Sequence, residues 1–137
     1  MYRHGEGVPQ DYAEAARLYR LAAVQGNAKA QNNLGLMYDN GQGVPQDDAE
    51  AARLYRLAAV QGNAGAQGNL AGSYWLGQGV PQDFITAHMW ANLAAANGSA
   101  NAPALRDAIA AAITPADISE AQRRARECLA SNFTRCD

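Results

Sequence analysis

Gly7-Val8-Pro9-Gln10-Asp11 recurs as Gly43–Asp47 and again as Gly79–Asp83, each time 36 residues further on. A fixed period of this length marks a chain of stacked supersecondary units, none of which can bury its apolar face alone. Between residues 7–42 and 43–78, 28 of 36 positions are identical. The third copy keeps the opening five residues and the Leu93–Gly98 ending, and drifts between them.

Each unit reads as two helices. The first, termed B, is expected from about Asp11 to Gln25, with Asp11 as N-cap and Glu14 three residues on, the arrangement of a capping box. Asp47 and Glu50 repeat it. Ala15, Leu18, Tyr19 and Ala22 recur at helical spacing and form one apolar face. Gly26 supplies a left-handed stop. Asn27 then caps a second helix, termed A, over about Ala28–Tyr38, with Ala30, Leu34 and Tyr38 as its apolar face. That helix ends at Gly41-Gln42-Gly43, and Pro45 blocks its continuation. Small alanines at the contacts allow close packing. A last A helix is expected over Pro103–Ile113. Thr114-Pro115 then opens a helix over about Pro115–Ala130, with Thr as N-cap and Pro in the first turn. Its Glu120, Arg123, Arg124, Arg126 and Glu127 give the charged outer face of a terminal cap.

The predicted fold is therefore all-α: a right-handed α-solenoid of 36-residue helix–turn–helix repeats with a C-terminal capping helix. Residues 1–6 read as the end of a truncated repeat, 7–42 and 43–78 as full periods, 79–113 as a degenerate repeat, and 114–137 as capping helix and tail. Composition agrees. Alanine, the best helix former, is abundant, while the β-branched residues that suit strands are scarce. The net charge is −2, with no basic stripe. Nucleic-acid binding depends largely on clustered Lys and Arg, so it is set aside. No apolar run approaches the ~20 residues of a membrane span, so no membrane insertion is expected.

The repeat resembles the Sel-one-like repeat family, relatives of the tetratricopeptide repeat. The family pattern is met by Ala30, Leu34, Gly35, Tyr38, Gly41, Gly43, Val44 and Asp47, followed by Ala51, Tyr55, Ala58, Ala59 and Gly62. The likeness covers residues 1 to about 98. The second repeat departs at Ala71, where the family favours Gly. The tail from Thr114 to Cys136 is also similar to the end common in bacterial members. The resemblance implies a protein-interaction scaffold, with A helices lining a concave surface. Some cysteine-rich relatives staple each repeat with a disulfide; that pattern is missing here, so none of their properties is carried over. Met1-Tyr2 aligns with Met37-Tyr38, so the chain reads as beginning near the end of an A helix. Helix B of the first repeat would then expose an apolar face, available for association. A late start or a fragment of a longer protein is the favoured explanation, a dimer contact the other. No signal peptide stands in these residues, which says little if a segment precedes them.

The differences between the two close repeats are clustered. Seven of eight lie in helix A or its last turn, at 29/65, 32/68, 35/71, 36/72, 37/73, 39/75 and 40/76; only 12/48 lies in helix B. Lys29, Asn32, Leu36 and Asp39 share one helical face, away from Ala30, Leu34 and Tyr38. The next repeat places Gly65, Gly68, Gly72 and Trp75 there. Three glycines cost a helix roughly 1 kcal/mol each relative to alanine. A glycine floor beside Trp75 and Leu76 would admit a peptide backbone closely. Asn33 and Asn69, in register, would hydrogen-bond it, and Lys29 would meet a carboxylate. The competing reading makes the glycines drift or close helix packing, and Trp75 a cover for the third repeat's core.

Little else carries chemistry. Gly-x-Gly at Gly5, Gly41 and Gly77 would suggest phosphate loops only after strands, and here the motif reads as a turn. His4 and His88 lack a second ligand at metal-binding spacing. No nucleophile–base arrangement is recognisable, and Ser73 and Ser119 read as groove and helix-surface residues. No metal, cofactor or catalytic residue is expected. Cys128 and Cys136 are separated enough to turn back and pair. Such a disulfide would favour a periplasmic or secreted protein; without it the expectation is cytoplasmic, and two unrelated thiols are the alternative.

The leading expectation is an adaptor that binds a protein or peptide through the concave A-helix surface. A spacer or regulatory fragment of a larger bacterial envelope protein comes second. A cell-wall-acting enzyme comes third, because no convergent set of titratable residues is visible.

Overall fold

A computed structural model describes residues 9–136. These form helices only: α1 (Pro9–Ala23), α2 (Ala28–Asn40), α3 (Asp48–Ala59), α4 (Ala64–Leu76), α5 (Phe84–Ala96), α6 (Ala102–Ala110) and α7 (Pro115–Ala130). Helices α1, α3 and α5 are the B helices; α2, α4 and α6 are the A helices. Each helix from α1 to α5 packs on the next, and α7 returns to pack on α5. The result is an all-helical solenoid with a terminal cap.

The helix starts follow from side-chain caps. Asn27 and Asn63 each accept a hydrogen bond from a backbone N–H three residues on, at Ala30 and Ala66. Asp47 and Asp83 do the same for Glu50 and Thr86, satisfying donors that the helix cannot. The capping box is only half present. The Asp47 N–H is already donated to the Tyr38 carbonyl, and Glu50 instead holds Arg53. Asp11 departs from its predicted role: it lies in the first turn of α1, not at its cap. In the later copies, the extended Pro-Gln-Asp segment is pinned to the preceding A helix. The Asp47 and Asp83 N–H groups bond the Tyr38 and Tyr74 carbonyls, and Gln46 and Gln82 bond those of Asp39 and Trp75. For the first copy, the residues in register with those partners fall outside the described part. Helix α1 also ends earlier than expected, because Gly26 and Asn27 turn back to the carbonyls of Ala23 and Ala22. Helix α2 runs on to Asn40. Helix α6 starts one residue earlier than expected and ends three residues sooner, since Ala112 and Ile113 turn back onto Ile109 and Ala110.

Two contacts lock successive repeats. The first is polar and buried. Gln31 donates to the Ala23 carbonyl of the previous B helix and accepts from Gln61. One period later, Gln67 donates to the Ala59 carbonyl and accepts from Asn97. The second is a glycine seat. Gly43 lies against the first turn of α1, where a Cβ would stand 2.2 Å from the Tyr12 carbonyl oxygen. Gly79 repeats this on α3, 2.0 Å from that of Asp48. Both adopt φ +76, so glycine is required by conformation and by space together.

The core has two parts. One joins Ala16, Leu34, Met37 and Leu54 across α1–α3. The larger runs from Tyr55 through Leu70 and Trp90 to Cys128 in the cap. Helix α1 is less covered than its successors: Leu18 is 52% exposed, whereas Leu54, in register, is 3% exposed. Helix α7 buries Ala121, Ala125 and Cys128 and turns Glu120, Arg123 and Arg124 outward as ion pairs. Cys128 and Cys136 are joined, with Cα atoms 4.4 Å apart, and the tail between them lays Phe133 against Gly62.

Candidate functional site

The candidate site is a groove of about 230 Å³ between α4 and the start of α6. Gly65, Gly68 and Asn69 form one wall; Ser99, Asn101, Ala102 and Leu105 form the other. The glycines set its width. A Cβ on Gly68 would lie 3.7 Å from Ser99 Oγ and 4.0 Å from Ala94 Cβ, in ordinary contact. Any larger side chain there would extend into the groove. A Cβ on Gly65 would come within 3.2 Å of Asn32 Nδ2. Asn69 Nδ2 donates to Asn32 Oδ1 at 2.9 Å, bridging two A helices.

The polar groups lining the groove are amides, a hydroxyl and backbone. None of its residues carries an ionisable side chain. Asn101 precedes α6 without using its side chain to cap that helix. Leu105 supplies a half-buried apolar wall. Such a surface can hydrogen-bond an extended backbone and seat an apolar side chain. It offers nothing to attract a charged ligand.

The ten residues expected on this surface separate into groups. Gly65, Gly68 and Asn69 line the groove, and Asn32 joins it through Asn69. Lys29 and Leu36 are exposed on α2, and Asn33 is half-buried there. A Cβ on Gly72 would meet nothing within 4 Å.

Asp39 and Trp75 depart from the expected face. Asp39 accepts a 2.5 Å hydrogen bond from Tyr55 of α3. Desolvation raises its carboxyl above the ordinary range, against the lowering effect of that hydrogen bond. Trp75 packs on Phe84 with ring centroids 4.9 Å apart. The two are register equivalents, as are Asp48 and Phe84, and Tyr55 and Ala91. One repeat therefore ties A to B by a carboxylate–phenol bond, and the next by two aromatic rings. Position 35/71 follows the same exchange. A Cβ on Gly35 would stand 2.7 Å from the Tyr55 ring, whereas Ala71 belongs to a repeat in which alanine replaces that ring. Part of the clustered divergence is thus core packing. The exchanges at 29/65, 32/68 and 36/72 reshape the outer face of helix A.

Ser99, Asn101, Ala102 and Leu105 were not anticipated. The register did contain a signal. One period beyond Gly65 and Asn69 fall Asn101 and Leu105, but the degenerate third copy hides the correspondence. His4 lies outside the described residues. His88 is buried on α5, and burial, with Arg106 nearby, lowers its pKa. Among the described residues, no three His, Cys, Asp or Glu side chains gather as a metal site.

The Sel1 repeat pattern matches three times, over residues 1–27, 28–63 and 64–99. The chain belongs to the Sel1 repeat family. Each of the two later matches spans an A helix and the following B helix. Proteins of this family generally act as protein-interaction scaffolds, and the fold is typically non-enzymatic. Among solved structures, the chain is similar to c5321, a protective antigen present in uropathogenic Escherichia coli strains that displays an SLR fold. Identity is 28%, TM-score 0.87, and the match covers 94% of this chain and 29% of that one. It is also similar to a Sel1 repeat protein from Oxalobacter formigenes, at 38% identity and TM-score 0.63, over 66% of this chain and 37% of that one. The chain thus spans well under half the length of either. A comparison with curated protein sequences gives no match.

Proposed function

We propose that this Sel1 repeat array is an adaptor that holds an extended, uncharged segment of a partner polypeptide in the groove between α4 and α6. The observation that carries the reading is the lining itself. Two glycines clear space for a backbone beside the amides of Asn69 and Asn101, on a helix where glycine is otherwise unfavourable. Extended partners are held by main-chain hydrogen bonds, with pockets for selected side chains giving specificity.

The test is capture from native extract by the wild type and by Gly68→Arg, with bound proteins identified by mass spectrometry. The substitution fills the groove. A partner kept by the wild type and lost by the variant supports the proposal. A partner held equally by both moves the site elsewhere.

A second reading is favoured by one observation: the chain covers only 29% and 37% of its two structural neighbours. On that reading, the array is a spacer or regulatory segment of a larger envelope protein. Absence of any partner for either variant, and a different domain encoded in frame beside this one, would favour it.

A further inference from the structure

Asn69 lines the groove beside Gly68, and a residue of the preceding repeat decides which of its polar atoms the groove receives. Asn69 Nδ2 donates to Asn32 Oδ1 at 2.9 Å. The direction of this bond follows from the neighbours of Asn32. Asn63 Oδ1 is already the acceptor that caps α4, at the Ala66 N–H. A Cβ on Gly65 would lie 3.2 Å from Asn32 Nδ2 and 3.4 Å from Asn63 Oδ1. The Asn32 amide therefore turns its donor to the side that holds this oxygen, and its own oxygen to Asn69. The reverse orientation would set two amide oxygens, both acceptors, against each other over Gly65.

With its amide nitrogen drawn toward α2, Asn69 has Oδ1 left for the groove on the α6 side. That oxygen accepts no hydrogen bond from the described residues, and a carbonyl oxygen can accept but never donate. The arrangement is local to this step of the array. One period on, Gly68 and Leu105 stand where Asn32 and Asn69 do, and they cannot form the bridge. The exchange at 32/68 thus acts twice on the same groove: Asn32 orients Asn69, and Gly68 clears space beside it.

We infer that Asn32 is a positioning residue for the groove, and that the partner segment presents a main-chain N–H to Asn69 Oδ1, which excludes proline at that register. This holds on the reading of the groove as the partner site. Proline fails there because it has no N–H to give. An acceptor covered by the ligand and left without a donor carries the cost of its lost water. The groove so selects its partner partly on the backbone, at one defined residue.

A displayed library of short uncharged peptides, selected on the wild type and counter-selected on Gly68→Arg, supplies the probe. Selected peptides should share a position from which proline is absent. In the tightest binder, each main-chain N–H is then methylated in turn and affinity is measured by calorimetry. Methylation at the proline-free position should weaken wild-type binding about tenfold or more, a readout independent of whether any variant folds. Asn32→Leu frees Asn69 to turn, so the same discrimination should shrink to about threefold or less. Asn32→Asp, which still accepts from Asn69 Nδ2, should restore it. A bridge that merely braces two helices would weaken parent and methylated peptides alike and leave their ratio unmoved. A ratio unchanged within about twofold in Asn32→Leu, or a wild type with no methylation-sensitive position, overturns the inference and leaves the groove as the partner site. Failure to select any peptide that distinguishes the wild type from Gly68→Arg overturns the groove reading, and this inference with it.

Discussion

Gly35 and Tyr55 make a quantitative test of how one repeat became the next. A Cβ on Gly35 would stand 2.7 and 2.9 Å from two carbons of the Tyr55 ring. That ring cannot retreat, because Tyr55 is fully buried and its hydroxyl is tied to Asp39. Overpacking of this kind costs about 1–3 kcal/mol, while Gly→Ala inside a helix returns about 1 kcal/mol. Gly35→Ala should therefore destabilise the wild type by about 1 kcal/mol. In a Tyr55→Ala background the collision is gone, and the same substitution should stabilise by roughly 1 kcal/mol from helix propensity and the buried methyl. The coupling between the sites should be about 2 kcal/mol, and the double variant recreates the Ala71–Ala91 pair of the next repeat. Urea unfolding of the four proteins measures it. Equal effects of Gly35→Ala in both backgrounds, within about 0.5 kcal/mol, would refute the packing account of position 35/71.

Gln67→Leu breaks the buried link between Ala59 and Asn97. Both partners keep a bond with Gly62, so urea unfolding should show a loss of about 1–2 kcal/mol, against a change within about 0.5 kcal/mol for exposed Gln78→Leu. Stability should fall on acidification in two windows. His88 sits below its ordinary 6.5 when folded, so below pH 6.5 the unfolded chain takes up the proton first; Glu120, held to about 2 by Arg123 and Arg124, should add a loss between 4.5 and about 2. His88→Leu should abolish the first loss only, as read by urea midpoints across pH; a midpoint flat from pH 7 to 5 in the wild type would contradict this. Reduction of the Cys128–Cys136 bond, which closes a short loop, should cost about 2–3 kcal/mol and release Phe133 from Gly62, seen as faster amide exchange at the α3–α4 turn. Intact mass after alkylation without reductant should show no alkylated thiol.

The repeat architecture was legible because it rests on local chemistry copied along the chain. The turn glycines, the Asn and Asp caps and the alanine faces recur every 36 residues, so each unit corroborates the last. Helix ends were less legible: the Asp47 N–H spends itself on Tyr38, a tertiary partner that no local pattern announces. The groove was half legible. Gly65, Gly68 and Asn69 stood out by divergence, but Asp39 and Trp75 diverged for another reason, a change of partner across the A–B contact. A difference between two repeats reports that an environment changed, and only coordinates say whether that environment is core or groove. The opposite wall was hidden because α6 belongs to a repeat that has lost its landmarks.

The central claim is that the neutral groove beside Gly68 holds the partner, and a matched pair of substitutions tests it most directly. Gly72→Arg lies on the same helix in open space, and Gly68→Arg fills the groove. Both add the same charge and should raise helix stability by up to about 1 kcal/mol, so loss of fold cannot explain loss of binding. Affinity for the partner captured from extract should fall at least tenfold with Gly68→Arg, stay near the wild-type value with Gly72→Arg, and change little with salt, because the groove carries no ionisable side chain. Wild-type affinity in Gly68→Arg, or binding that collapses as salt is raised, would contradict the account.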